Sequence, residues 1–177
     1  MANRQASDRK EGARIFVVMG VAGCGKSSVA SALAERCSGT FLDADDHHPA
    51  ANKAKMAAGT PLDDADRWPW LAAFGAALAR ESGPVFGACS ALKASYRQAI
   101  REAVGEPVHF IHLAGDRERI ARRMARRRDH FMPTSLLDSQ FATLEPPSDE
   151  VDASTVSVHN RFRDVVRDAF RVVRSSR

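Results

Sequence analysis

Eight consecutive residues, Gly20-Val-Ala-Gly-Cys-Gly-Lys26-Ser27, combine three glycines, a lysine and a hydroxyl at a spacing suited to gripping phosphate. Glycines allow backbone conformations that a Cβ would block, so successive N–H groups can converge on phosphate oxygens. Lys26 can reach the β- and γ-phosphates of a nucleoside triphosphate, and the Ser27 hydroxyl is an oxygen ligand for Mg²⁺. The run satisfies the Walker A pattern in full. It makes Gly20, Val21, Ala22, Gly23, Cys24, Gly25, Lys26, Ser27 and Ser28 the expected ATP contacts. Cys24 within it reads as an inert loop thiol, since nothing points to a lowered pKa.

Phosphoryl transfer also needs an acid near the metal ion and a group to receive the proton of the attacking hydroxyl. The run Pro84-Val-Phe-Gly-Ala-Cys89 ends without an acidic residue. Asp43-Ala-Asp45-Asp46 offers carboxylates earlier in the chain. Alternation along an extended segment would place Asp43 and Asp45 on one side, facing the loop's ligand. Asp43 is therefore assigned to hydrated Mg²⁺ and Asp45 to the acceptor hydroxyl, with Asp46 facing solvent.

These residues need elements to hold them. Ile15-Phe-Val-Val-Met19 is a continuous apolar run ending at the first glycine, the pattern of a buried parallel strand. Val29, Leu33 and Cys37 then recur at helical spacing until Ser38-Gly39. Thr40-Phe-Leu42 is a short strand delivering Asp43. A polar stretch with Pro49, Pro61 and Pro69 predicts short helices around a mobile segment, followed by a helix carrying Leu71, Phe74 and Leu78. Pro84–Cys89 predicts a third strand, Leu92, Tyr96 and Ile100 a helix, and Val108–Leu113 a fourth strand. Ile120 and Met124 mark another helix, Phe131–Leu144 a loop with a short helix, and Thr155–Val158 a last strand before a helix carrying Val165, Val166, Ala169 and Val173. Strands alternating with helices predict a three-layer α/β fold around a parallel sheet.

The blocks around these elements resemble the bacterial-type gluconokinase family, ATP:D-gluconate 6-phosphotransferases, in order from about Ile15 to Pro147. They are Phe41-Leu-Asp-Ala-Asp45, His48-Pro49, Asn52, Lys55-Met56, Gly59, Pro61-Leu62 and Asp66-Arg67-x-Pro69-Trp70-Leu71. Cys89-Ser-Ala-Leu-Lys93, Tyr96-Arg97, Arg101, Arg127-x-x-His130-Phe131, Ser139-Gln-Phe141 and Leu144-Glu-Pro146 complete the series. Ala44 stands where the family usually has Gly, and Asp129 where Gly is common before the His-Phe pair. The resemblance implies the P-loop fold shared with shikimate kinase and nucleoside monophosphate kinases, a parallel five-stranded sheet of order 2-3-1-4-5. It implies one kinase domain over 14–177, with a substrate-binding segment at about 44–82 and a lid at about 123–135. It also implies ATP and Mg²⁺ as cofactors, D-gluconate as substrate and a homodimer.

Carried over residue by residue, the resemblance places Asp45, His48, Arg67, Lys93 and Arg97 around gluconate. The chemistry agrees, since a guanidinium suits the carboxylate of a polyhydroxy acid. Arg67 is the first choice for that contact; the competing reading is an ion pair with Asp63, Asp64 or Asp66. His48 could instead cap the following helix. Trp70 suits core packing.

Seven arginines lie between Arg117 and Arg128. With Ile120 and Met124 inward, most of them face water. The family pattern points to Arg127 as the lid arginine over the γ-phosphate, with Arg123 one turn earlier on a similar face. The same arginines raise a different possibility, a nucleic-acid-binding NTPase. No aromatic platform is interleaved with them, which disfavours a nucleic-acid partner, and Asp43 to Trp70 would then have no purpose. A kinase for another small hydroxy acid or for a nucleoside monophosphate is the nearer alternative.

Composition sets the outer bounds. The chain has 177 residues, 44% of them hydrophobic and 27% charged, with a net charge of +4, ordinary for one globular domain. No apolar run reaches the roughly 20 residues of a membrane helix, and residues 1–13 predict a frayed polar tail rather than a secretory signal. A cytoplasmic enzyme is expected. Cys24, Cys37 and Cys89 form no Cys-x-x-Cys pair, so neither a zinc site nor a disulfide framework is expected.

Overall fold

The computed structural model describes residues 13–125 and 134–177. The chain runs β1 (Ile15–Met19), α1 (Lys26–Cys37), β2 (Thr40–Asp43), a single 3-10 turn at Ala44–His47, α2 (Ala50–Ala57) and α3 (Asp64–Arg80). It continues through β3 (Val85–Ala88), α4 (Ala94–Val104), β4 (Val108–Ala114), α5 (Arg117–Ala125), α6 (Thr134–Thr143), β5 (Ala153–Ser157) and α7 (Phe162–Ser175). The strands form one parallel sheet in the order β2-β3-β1-β4-β5, as expected.

β1 is apolar throughout because both faces of the sheet are covered. Phe16 and Val18 join Phe86, Ile111 and Leu113 in a core closed by Val29 and Leu33 of α1 and Val165, Ala169 and Val173 of α7. Ile15, Val17 and Met19 face a second core with Phe110, closed by Leu71, Phe74 and Leu78 of α3 and Tyr96 and Ile100 of α4. Helices α3 and α4 approach closely at Gly75, where a Cβ would lie 2.6 Å from Ala103 Cβ.

Two local expectations are corrected. Helix α3 begins at Asp64, well before the apolar positions that predicted it, and takes in Pro69 in its second turn. A capping box starts it: Asp63 Oδ1 accepts from the Asp66 N–H at 2.9 Å and Asp66 Oδ2 accepts from the Asp63 N–H at 3.1 Å. Terminal N–H groups are thereby satisfied early in the sequence. The backbone after Asp43 is not extended either; it turns into the 3-10 segment, with Asp43 as its cap.

The parallel register carries the candidate groups to one edge. Asp43 lies beside Ala88 of β3, and Ala88 beside Val18 of β1. The glycine loop and the acidic segment therefore leave the carboxyl ends of β1 and β2, the strands flanking β3, at the edge where open α/β sheets bind ligands.

Candidate active site

The loop from Gly20 to Ser27 connects β1 directly to α1. The Gly20 N–H donates to Ser90 O at 3.2 Å, tying the loop to the segment after β3. Gly23 takes φ +77°, and a Cβ there would lie 2.4 Å from Met124 Cγ, so α5 packs on the loop itself. Gly25, at φ 103°, turns the chain into α1. Backbone N–H groups and the helix N-terminus together make an anion cradle. Lys26 Nζ donates to Val21 O at 3.2 Å, folded over the loop. Burial raises the Cys24 thiol above its ordinary value and pushes Cys89 up to about 12; both remain protonated and unreactive at neutral pH.

The Ser27 hydroxyl donates to Asp43 Oδ2 at 2.7 Å. This brings together the two oxygen groups expected around Mg²⁺. Among the described residues no group of three or more His, Cys, Asp or Glu could hold an ion alone. That donor set fits an ion which keeps water and phosphate oxygens as its other ligands.

Asp45 reaches the same cleft as Asp43, by capping rather than by alternation: its N–H donates to Asp43 Oδ1 at 3.1 Å. Both carboxylates line a cavity of about 520 Å³ together with Lys26, Ser27, His48 and Arg67. The Asp45 side chain is open to solvent on one side, 86% exposed; partial desolvation, and then the charge of Asp43, raise its pKa above the usual carboxylate value. Asp46 is exposed.

Aromatic packing and hydrogen bonds hold the wall opposite the loop. The His48 ring stacks on Trp70 with centroids 4.2 Å apart and planes at 13°. Trp70 is 3% exposed, and its Nε1–H donates to Ala44 O at 2.6 Å. Ala44 has no positive φ, so glycine is not required there. Asn52 Nδ2 lies 3.4 Å from His48 Nδ1 and donates to Asp66 O at 2.8 Å. Burial lowers the His48 pKa. The ring is therefore neutral at pH 7, with Nε2 3.9 Å from Asp45 Oδ1.

Arg67 is free of the three acids that competed for it. Asp63 caps α3, Asp64 takes Lys93 Nζ at 2.7 Å, and Asp66 takes Lys55 Nζ at 2.6 Å. Arg67 donates to Leu62 O at 3.2 Å and lies over the Tyr96 ring, 5.7 Å from its centre. Among the described residues no carboxylate pairs with it, and the residue borders the cavity.

Two expected substrate contacts are not brought to this cavity. Lys93 is engaged by Asp64 and borders no part of it. Arg97 is 1% exposed, ion-paired to Glu150, and donates to Ala91 O at 2.9 Å. That carbonyl belongs to Ala91, a buried non-glycine residue at φ 43°, a conformation that needs outside support. Arg97 thus holds the loop whose Cys89 and Ser90 line the cavity. The lone-residue reading missed this role because Glu150 lies outside the recognisable blocks.

Arg123 faces the opposite side of the glycine loop. It borders a second cavity of about 330 Å³ with Gly23, Gly25, Ser28, Val158 and Phe162, and its Nη2 donates to Val158 O at 2.6 Å. It is not brought to the cleft that holds Asp45. Arg127, most of the lid segment and the N-terminal tail through residue 12 lie outside the described residues, as does Asp129.

Sequence reasoning also missed Gln140. Its Oε1 accepts from the Ala22 N–H at 2.6 Å, and the side chain borders the larger cavity. Its only sequence signal was the Ser139-Gln-Phe141 block, which carried no chemical assignment. Glu145 from the next block has a structural task, accepting from the Ala94 N–H at the start of α4 at 2.6 Å.

A glycine cradle after the central strand, an Mg²⁺-type oxygen pair beside it and a deep cleft at the carboxyl edge of a 2-3-1-4-5 sheet define a P-loop kinase. The family model described as AAA domain matches residues 15–147. The thermosensitive gluconokinase of Escherichia coli (strain K12) is 43% identical over 170 residues, covering 92% of this chain and 90% of that protein. The gluconokinase of Gluconobacter oxydans (strain 621H) is 47% identical over 149 residues, covering 81% and 82%. The crystal structure of a gluconokinase from Sinorhizobium meliloti 1021 superposes with a TM-score of 0.83 at 47% identity, covering 92% and 93%. This chain belongs to the gluconokinase family of P-loop kinases. The described residues contain no helix long and apolar enough to cross a membrane.

Proposed function

We propose that the protein transfers the ATP γ-phosphate to the 6-hydroxyl of D-gluconate, giving 6-phosphogluconate and ADP. The observation that carries this reading is one cavity with Lys26, Ser27 and Asp43 beside Asp45, His48 and Arg67. Its volume suits a small polar substrate next to the terminal phosphate.

Loop N–H groups and Lys26 hold the phosphates. Ser27 and Asp43 would hold Mg²⁺, which when bound neutralises charge on the β- and γ-phosphates. Arg67 takes the gluconate carboxylate, which puts the far end of the chain towards Asp45. The O6 oxygen attacks the γ-phosphorus, the bond to the β–γ bridging oxygen breaks, and the O6 proton passes to Asp45. Neutral His48 offers a hydrogen bond to substrate without competing for Arg67's anion. The second cavity, with Arg123 and Phe162, suits the adenine and ribose, since a guanidinium and an aromatic ring are good base-stacking surfaces. In this reading Arg127 supplies the arginine over the γ-phosphate, and the assembly is a homodimer.

The test is ADP release with purified protein and a panel of gluconate, other sugar acids, shikimate and nucleoside monophosphates. Gluconate should be the preferred acceptor; no ADP release with gluconate refutes the reading, and preference for a monophosphate would favour the rival kinase.

A further inference from the structure

Among the described residues Gln140 is the one side-chain amide bordering the cleft, which it shares with the charged groups of Lys26, Asp43, Asp45 and Arg67. It stands on α6, four residues after Leu136, which borders the same cavity. The helix is firmly seated: Leu137 is 1% exposed, Phe141 and Leu144 pack against the core, and Asp138 pairs with Arg117 of α5. A residue so placed meets the aim of a functional group on a rigid, supported element.

The orientation of the amide follows from its partner. A backbone N–H can only be met by the oxygen, so the 2.6 Å contact with Ala22 fixes Oε1 on the loop and leaves the NH₂ as the group Gln140 can offer elsewhere. Ala22 lies within the cradle, next to Gly23 and four residues before Lys26, so the amide is anchored at the phosphate end of the cleft.

We propose that Gln140 is a further catalytic residue: its Oε1 anchors on Ala22 while its Nε2–H donates to an oxygen of the transferring γ-phosphoryl group. This rests on the kinase reading above. A neutral donor adds a hydrogen bond to developing charge without a counter-ion to desolvate, and a pre-oriented donor of this kind is worth about 10²–10³ in kcat. Leu136, one turn earlier, borders the same wall.

Two substitutions separate donation from a simple latch. Gln140→Glu retains an oxygen for the Ala22 N–H but replaces the NH₂ with a second, negative oxygen. Gln140→Leu removes both. If Nε2 acts on the γ-phosphoryl group, both variants lose about 10²-fold in kcat, and the ATP-over-ADP affinity ratio falls while ADP affinity stays within about twofold of the parent. Wild-type turnover in Gln140→Glu would overturn the proposal in favour of a latch alone. An unchanged ATP/ADP ratio, or equal loss of ADP affinity, would overturn it in favour of a structural role. The affinity ratio needs no acceptor, so it reports on Gln140 even if gluconate is not the substrate; absence of gluconate turnover in the parent enzyme refutes that other reading separately.

Discussion

Replacing Arg67 with methionine tests the acceptor end of the site most directly. Asp63, Asp64 and Asp66 are each committed elsewhere, so the guanidinium meets an incoming carboxylate without first breaking an ion pair. A two-point guanidinium–carboxylate contact comprises two charge-assisted hydrogen bonds, each about 1.5–3 kcal/mol. The cleft admits solvent, so the lower figure applies, giving about 3 kcal/mol or about 10²-fold. Within the folded protein the substitution removes one hydrogen bond to Leu62 O and the edge of the Tyr96 contact. That is about 1 kcal/mol, a Tm shift of roughly 2–4 °C. Steady-state kinetics with gluconate and with sorbitol, which lacks the carboxylate, form the assay. KM for gluconate should rise about 10²-fold and the preference over sorbitol should collapse, with KM for ATP unchanged. A gluconate KM within threefold of the parent, or an equal loss with sorbitol, would show that Arg67 does not bind the carboxylate. A Tm loss beyond 10 °C would make it a structural residue.

The other expectations concern proton transfer and the cradle. The raised Asp45 pKa places the acid limb of kcat/KM above the usual carboxylate value of about 3.9, with activity lost as pH falls through it; Asp45→Asn should abolish most of kcat and that limb while leaving ATP affinity intact. Because the folded state holds this proton more tightly than the unfolded chain, ionising Asp45 destabilises the fold as pH rises. Asp45→Asn should therefore match or exceed the parent Tm at neutral pH, and a clearly lower Tm would contradict the assignment. Gly23→Ala drives a Cβ into Met124 from a backbone at φ +77°; calorimetry should show weaker ATP and ADP binding together, and unchanged binding would mean that α5 yields freely. Lys26→Ala should remove turnover with an intact circular dichroism spectrum, and near-normal activity would refute the cradle.

Much of this was legible along the chain, for a physical reason. A phosphate cradle needs consecutive backbone groups, so Gly20 to Ser27 carries its own geometry. A doubly covered parallel strand must be apolar on both faces, so Ile15–Met19 announced both the central strand and the helical layers around it. Asp43 and Asp45 were singled out by type and position although the assumed alternation was wrong. The cap that Asp43 places on the next turn delivers both to one cleft. Ser27, Asp43, Asp45, His48 and Arg67 therefore came together as the sequence suggested.

Tertiary structure decided what rests on distant partners. Whether Arg67 is available depends on where Lys55, Lys93 and the capping box of α3 draw the neighbouring acids. Arg97 became a buried clamp because Glu150, in the turn before β5, comes within hydrogen-bond reach, and Lys93 was drawn to Asp64, so neither basic residue is presented to the cleft. Arg123 was turned to the far side of the cradle by the carbonyl of Val158. Gln140 joined the phosphate end only because α6 packs over Ala22, 118 positions away in the chain. Sequence fixes residue type and local spacing; which donors remain free for a ligand is settled by competition among groups that only the folded chain brings within hydrogen-bond reach.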